Sequence, residues 1–197
     1  IVAAIAAAQE PDGYLYTMRT IGGPPPGDWM GGERWSNLYM SHELYNLGHL
    51  YEAAAAHYEA TGKRTLLDVA VKSARLLMKE FGPGRRQDPP GHQEIEIGLA
   101  KLYRVTGDAA YLDLAKFFID VRGKSGAGRK LYGEYSQDHL PLAEQTEAVG
   151  HAVRAGYFYA GAADVAALTG DRGTIAALDR IWADVVGSKI YITGGIG

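Results

Sequence analysis

Six histidines, His42, His49, His57, His92, His139 and His151, are the side chains of this sequence best suited to proton and hydroxyl chemistry. Three of them follow a glycine: Gly48-His49, Gly91-His92 and Gly150-His151. A glycine lets backbone or ligand come close, and an imidazole donates to or accepts from a sugar hydroxyl. Taken singly, each histidine is explained as well by capping or core filling. His92 and His151 taken together, at matched places in two helical hairpins, point to a ligand. Carboxylates share these stretches: Glu43, Glu94, Glu96, Glu144 and Glu147. Glycoside hydrolysis needs two carboxyl-like groups flanking the scissile bond, so each is a candidate general acid or base. The first turn of a helix also favours negative charge, which alone would account for Glu94, Glu144 and Glu147.

Aromatic residues gather near the loops: Trp29, Trp35, Tyr39, Tyr132, Tyr135, Tyr157 and Tyr159. Sugar rings stack their apolar faces on such side chains. Trp29 and Trp35 flank a Gly-rich loop and are the better ligand candidates. Tyr157 and Tyr159 read as core. The segment Ser136-Gln137-Asp138-His139 holds serine, aspartate and histidine, but a turn explains it better than a triad. Phosphate loops, dinucleotide fingerprints and HExxH motifs are absent.

Composition narrows the field. The chain has 197 residues, 47% hydrophobic and 22% charged, with a net charge of −3. Its basic residues are scattered, so neither nucleic acid nor an anionic membrane is an expected partner. There is no cysteine. Disulfides, thiol nucleophiles and thiolate zinc sites therefore need residues other than these. Nothing requires an oxidising compartment, and the cytoplasm is the expected location. The apolar run Ile1–Ala8 is too short to span a bilayer and reads as the end of a helix. With no initial Met and a close on Gly194-Gly195-Ile196-Gly197 after the strand-like Lys189–Ile192, both ends read as cuts.

The elements that must position these groups are helices. Thr61-Gly62-Lys63, Thr106-Gly107-Asp108 and Thr169-Gly170-Asp171 each separate two helical patterns. The glycine suits a left-handed C-cap, and Asp108 and Asp171 suit the start of the next helix. Each mark reads as the turn of an αα-hairpin. Six main helices are predicted: about 36–60, 64–80, 92–105, 109–121, 145–168 and 173–186. Long Gly/Pro connections, 22–32 (with Pro24-Pro25-Pro26), 82–91 and 123–141, join the hairpins. The helix after His151 is apolar nearly all round and predicts burial on all sides, whereas 64–80 carries one apolar stripe. Alternating inner and outer helices imply an all-α (α/α) toroid of hairpins. A helical-repeat solenoid is the rival, but it calls for a fixed period, and the glycines here are 45 and 63 residues apart. In a toroid the inner helices run in one sense, so the histidines meet at one mouth.

Five blocks carry a resemblance: Ile5-Ala6-Ala7-Ala8-Gln9-Glu10-Pro11-Asp12-Gly13-Tyr14-Leu15; His42-Glu43-Leu44-Tyr45 with Gly48-His49-Leu50; Gly91-His92-Gln93-Glu94-Ile95-Glu96; Tyr135-Ser136-Gln137-Asp138-His139; and Glu144-Gln145-Thr146-Glu147-Ala148-Val149-Gly150-His151-Ala152-Val153-Arg154. The closing Tyr191–Gly197 fits with them. The sequence resembles the catalytic domain of glycoside hydrolase family 127, the bacterial β-L-arabinofuranosidases. The resemblance implies an (α/α)6 barrel, of which 1–197 would be about half, and retaining, exo-acting removal of terminal β-L-arabinofuranose. It also implies a zinc-bound cysteine nucleophile and a glutamate acid/base, both beyond Gly197, so that residues 1–197 supply no catalytic residue and no metal ligand. What carries over is the sugar grip: His151, His92, and His42 in preference to His49; Trp35 and Glu147 join them as substrate-binding candidates from the residues themselves. A small carbohydrate is the implied partner, and a homo-oligomer is a further expectation. Two alternatives stay open: a sugar epimerase or isomerase on a similar barrel, and a non-catalytic helical binding module.

Overall fold

The computed structural model describes residues 1–21, 28–126 and 128–197. The Pro24-Pro25-Pro26 run of the first long connection lies outside them. Among the described residues there are eight α-helices and no strand: α1 (Val2–Ala8), α2 (Thr17–Thr20), α3 (Glu43–Thr61), α4 (Thr65–Glu80), α5 (Ile95–Thr106), α6 (Ala109–Val121), α7 (Ala152–Thr169) and α8 (Arg172–Asp184). No helix is long and apolar enough to cross a membrane.

Three hairpins, α3–α4, α5–α6 and α7–α8, turn where the sequence marks them. Gly62, Gly107 and Gly170 all have positive φ and donate their N–H groups to Tyr58, Tyr103 and Ala166 carbonyls. The preceding threonine hydroxyls donate to the carbonyls four residues back: His57, Leu102 and Val165. Asp108 and Asp171 then accept from Ala110 and Thr174 N–H groups and start α6 and α8.

The inner helices α3, α5 and α7 pack side by side, with α4, α6 and α8 outside them. Glycines set the inner spacing. A Cβ on Gly98 would lie 2.5 Å from the Gly48 carbonyl oxygen, and one on Gly161 would lie 3.1 Å from Glu96 Cβ. Between the layers lie Leu44, Tyr51, Leu67, Leu77, Leu99, Leu102, Phe118 and Phe158, all fully buried. Each such side chain stabilises the fold by about 1.5–3 kcal/mol relative to exposure. The Tyr51 hydroxyl finds Ser73 Oγ at 2.9 Å, so this core leaves it a partner.

Four expectations change. The inner helices begin later than the apolar pattern suggests, at Glu43, Ile95 and Ala152. Trp35 and His42 have φ of 62° and 58°, which halts a right-handed helix before Glu43. Gly150 at φ 77° does the same before Ala152. Glu144 therefore ends a 3₁₀ turn (Leu142–Glu144), and Glu147 lies outside any helix, so a first-turn dipole accounts for neither. Residues 185–189 form a π-helical turn, not the lead into a strand, and Tyr191 closes a further turn by donating to the Gly195 carbonyl. Finally, α7 is not buried on all sides: Gly156, Ala160 and Ala163 are exposed on the face away from α5.

Candidate functional site

The N-terminal ends of the three inner helices converge, and each brings a histidine. The His42 and His92 rings are 5.6 Å apart and the His92 and His151 rings 6.3 Å apart. Tyr45 sits among them, 5.5 Å from His42 and 4.4 Å from His92, and Tyr157 on α7 lies 5.5 Å from His92. All three histidines are half-buried.

Glycines make the convergence possible by admitting backbone rather than ligand. A Cβ on Gly91 would stand 2.1 Å from the Tyr39 carbonyl oxygen, and one on Gly150 would stand 2.0 Å from that of Glu134. Gly91 N–H donates to Leu38 O, and His151 N–H to Tyr135 O. The loop 134–138 ties these ends together. The Ser136 carbonyl accepts from Gln93 Nε2 at 2.8 Å and from the fully buried Arg122 at 2.8 Å. Ser136 Oγ accepts from Arg154 at 2.7 Å. Asp138 accepts from Gly123 N–H, Tyr132 N–H and Arg129. Serine and aspartate in this segment thus build a turn, as the sequence indicates.

Hydrogen bonding fixes the face each imidazole offers. A carbonyl oxygen cannot donate, so His42 Nδ1 must donate to Met40 O at 2.6 Å, and His92 Nδ1 to Gln93 O at 2.8 Å. Their Nε2 atoms are left as acceptors. His151 is the reverse: its Nδ1 accepts from Arg154 N–H at 3.3 Å, the N-cap of α7, which leaves Nε2–H as a donor. Burial, aided by the charges of Arg154, His42 and His151, lowers the His92 pKa to about 4, against the Gln93 hydrogen bond, so the ring is neutral near pH 7. Two acceptors and one donor on a few ångströms of surface suit the hydroxyls of a polyol.

The other candidates separate. His49 lies two turns into α3, with Nδ1 3.2 Å from Glu94 Oε1 and 3.6 Å from Glu52 Oε2. Its ring is 4.6 Å from Tyr45, but its polar edge faces carboxylates. Burial and the neighbouring Glu52 push the Glu94 carboxyl well above the usual carboxylate range.

Trp35 is a correction: it is 4% exposed and packs edge-on against Tyr14 and Phe81, at 5.2 and 5.6 Å. Its backbone N–H donates to the buried Glu43 carboxylate, which also accepts from Tyr14 and Ser41. A left-handed residue leads into α3 there, and the ring faces the core. Glu43 is consequently structural. Glu96 is buried beside Arg122 and accepts from Glu94 N–H. Glu147 is exposed and pairs with Lys189, and Glu144 is exposed. Trp29 borders an apolar groove with Ile5, Leu15 and His42.

Tyr45 is the residue the sequence reading passed over, and Tyr157, read there as core, borders the cluster. A signal existed: His42, Tyr45, His49 and Glu52 are spaced 3, 4 and 3 apart, one face of a helix.

The described residues show no zinc site of the thiolate kind, since the chain has no cysteine.

Comparison with known proteins bears directly on this arrangement. The family model "Beta-L-arabinofuranosidase, GH127 catalytic domain" matches residues 1–197. The non-reducing end beta-L-arabinofuranosidase of Bifidobacterium longum subsp. longum is 41% identical over 98% of this chain and 32% of its own length. A solved GH127 beta-arabinofuranosidase aligns over the whole chain and 31% of its own, with TM-score 0.92 and 56% identity. The GH127 beta-L-arabinofuranosidase of Geobacillus stearothermophilus T6 aligns over the whole chain and 32% of its own, with TM-score 0.89 and 42% identity. The chain thus spans about a third of the length of these relatives. Matched over its whole length in sequence and in helical architecture, the chain belongs to glycoside hydrolase family 127.

Proposed function

We propose that the full-length protein removes terminal β-L-arabinofuranose, or a similar furanose, from the non-reducing end of a glycan with retention of configuration. In this reading residues 1–197 hold the sugar. His42 and His92 accept hydrogen bonds from two hydroxyls through Nε2, and His151 donates to a third. The observation that carries it is the convergence of the three rings with their tautomers set by backbone partners. A site that pairs hydroxyls rejects analogues lacking them. The names of the relatives supply the furanose; the geometry supplies the complementarity.

A zinc-bound cysteine nucleophile and a glutamate acid/base, implied by the family, belong to the rest of the protein in this reading. Residues 1–197 offer no thiolate, and no step is assigned to them beyond binding and orientation. His42 is preferred to His49 because its ring stands beside His92, whereas the His49 Nδ1 edge is turned to Glu52 and Glu94.

The test is hydrolysis of an aryl β-L-arabinofuranoside by the full-length protein. His92→Ala and His151→Ala are expected to lower kcat/KM about 10-fold or more each, from one lost hydrogen bond of about 1.5 kcal/mol. A double variant with unchanged kcat/KM refutes the sugar grip. Residues 1–197 alone are expected to show no saturable turnover.

A further inference from the structure

Below the histidine mouth, α3 and α5 meet glycine to glycine. A Cβ on Gly48 would lie 2.6 Å from Glu94 Cγ and 2.7 Å from the Glu94 carbonyl oxygen. This contact carries Glu94, the N-cap residue of α5, onto the face of α3 that bears His49 and Glu52. Glu94 is 0% exposed, and neither of its carboxylate oxygens makes a well-directed hydrogen bond; the His49 ring edge and the Glu52 carboxyl are its polar neighbours. A buried carboxylate left without a hydrogen bond costs several kcal/mol.

Three donor atoms gather there. His49 Nδ1 is 3.2 Å from Glu94 Oε1 and 3.6 Å from Glu52 Oε2, and all three atoms lie within 4.8 Å of one another. Around a metal ion with bonds of about 2.1 Å, neighbouring tetrahedral ligands stand about 3.4 Å apart. Lys101 pairs with Glu52 Oε1, which leaves Oε2 for the cluster. The His49 and Glu52 side chains are 40% and 26% exposed, so an ion has a way in.

We propose that His49 Nδ1, Glu52 Oε2 and Glu94 Oε1 form a binding site for a divalent first-row metal ion of the zinc class. An imidazole and two carboxylates are an N/O donor set suited to zinc or manganese, with a water completing the shell. The donor set contains no thiolate. The site stands independently of the sugar-binding reading.

The full-length protein, dialysed against zinc chloride and then against buffer, is assayed for metal by mass spectrometry. Wild type is expected to hold one equivalent more than Glu94→Gln or His49→Ala. With Co²⁺ in place of Zn²⁺, the equivalent that disappears should contribute ligand-field bands and no thiolate charge-transfer band. His49 is partly exposed, so His49→Ala keeps the test open if Glu94→Gln does not fold. Equal metal content in wild type and variants overturns the proposal, and so does loss of a thiolate band with the missing equivalent. The cluster is then a charge network, with a proton on Glu94 or His49 in the place of the metal.

Discussion

The two ends of the hairpins are built from the same residues to opposite purposes. At the turn end, Gly62, Gly107 and Gly170 take positive φ with open space where a Cβ would be. At the histidine end, Gly91, Gly123 and Gly150 are pressed to within 2.0–2.1 Å of neighbouring backbone by the same measure. The first set only shapes the chain locally. The second sets how close separate elements come, and so where His92 and His151 stand. The polar groups divide in the same way. Asp108 and Asp171 cap helices at the surface, whereas Arg122, Gln93, Ser136 and Asp138 are buried and bond across loops far apart in sequence. Buried polar bonding between distant segments is thus concentrated at the histidine end.

That contrast is open to attack, and the largest blow falls at the histidine end. Arg122→Ala removes donors to the Ser136 and Pro90 carbonyls and strands Glu96 in the core. A loss of about 3–5 kcal/mol is expected by urea denaturation of the full-length protein. A loss below 1 kcal/mol would show that the loop holds itself. Gly150→Ala forces a methyl onto the Glu134 carbonyl at positive φ. About 3 kcal/mol, together with loss of sugar binding by calorimetry, is the expected outcome.

At the turn end the effects shrink. Asp108→Ala removes the cap on α6 and should cost about 1 kcal/mol with binding unchanged. Gly107→Ala meets no steric obstacle and carries only the left-handed penalty, about 1 kcal/mol, again without effect on binding. If either turn variant weakened binding as strongly as Gly150→Ala, the division between the ends would be wrong.

The pH dependence sharpens the same distinction. His92 is held at a pKa of about 4, below its ordinary 6.5, by burial above all. In the unfolded chain it takes up its proton first as pH falls. Its contribution to stability is therefore complete above pH 6.5 and is lost as pH falls to about 4. The share of sugar binding that His92 Nε2 contributes should hold steady from pH 8 to about 5 and fail toward pH 4. In His92→Gln, which keeps an acceptor and cannot titrate, this acid limb should disappear from the binding profile measured by calorimetry.

Much of this architecture was legible in the residues. The Thr-Gly marks gave the hairpin turns because a left-handed glycine and a capping aspartate act over a few residues, and local chemistry is written locally. The glycines before His49, His92 and His151 signalled close approach for a related reason: an absent side chain is visible in any sequence. The five blocks brought the family into view at once. What stayed hidden was everything decided by a distant partner. Trp35 looked like a ligand platform, but Tyr14 and Phe81, far along the chain on either side, take its ring into the core. Glu43 was one of five candidate acids or bases, but Tyr14, Ser41 and the Trp35 backbone N–H claim its carboxylate.

The sequence by itself therefore determined the helices, their turns, their inner and outer order and the family. Periodicity, caps and motif order each depend on residues within a few turns of one another. Only the tertiary structure decided that His42 stands with His92 while His49 turns to Glu52 and Glu94, and where each inner helix begins. Those outcomes rest on contacts between α3, α5, α7 and the 134–138 loop, which no local pattern encodes.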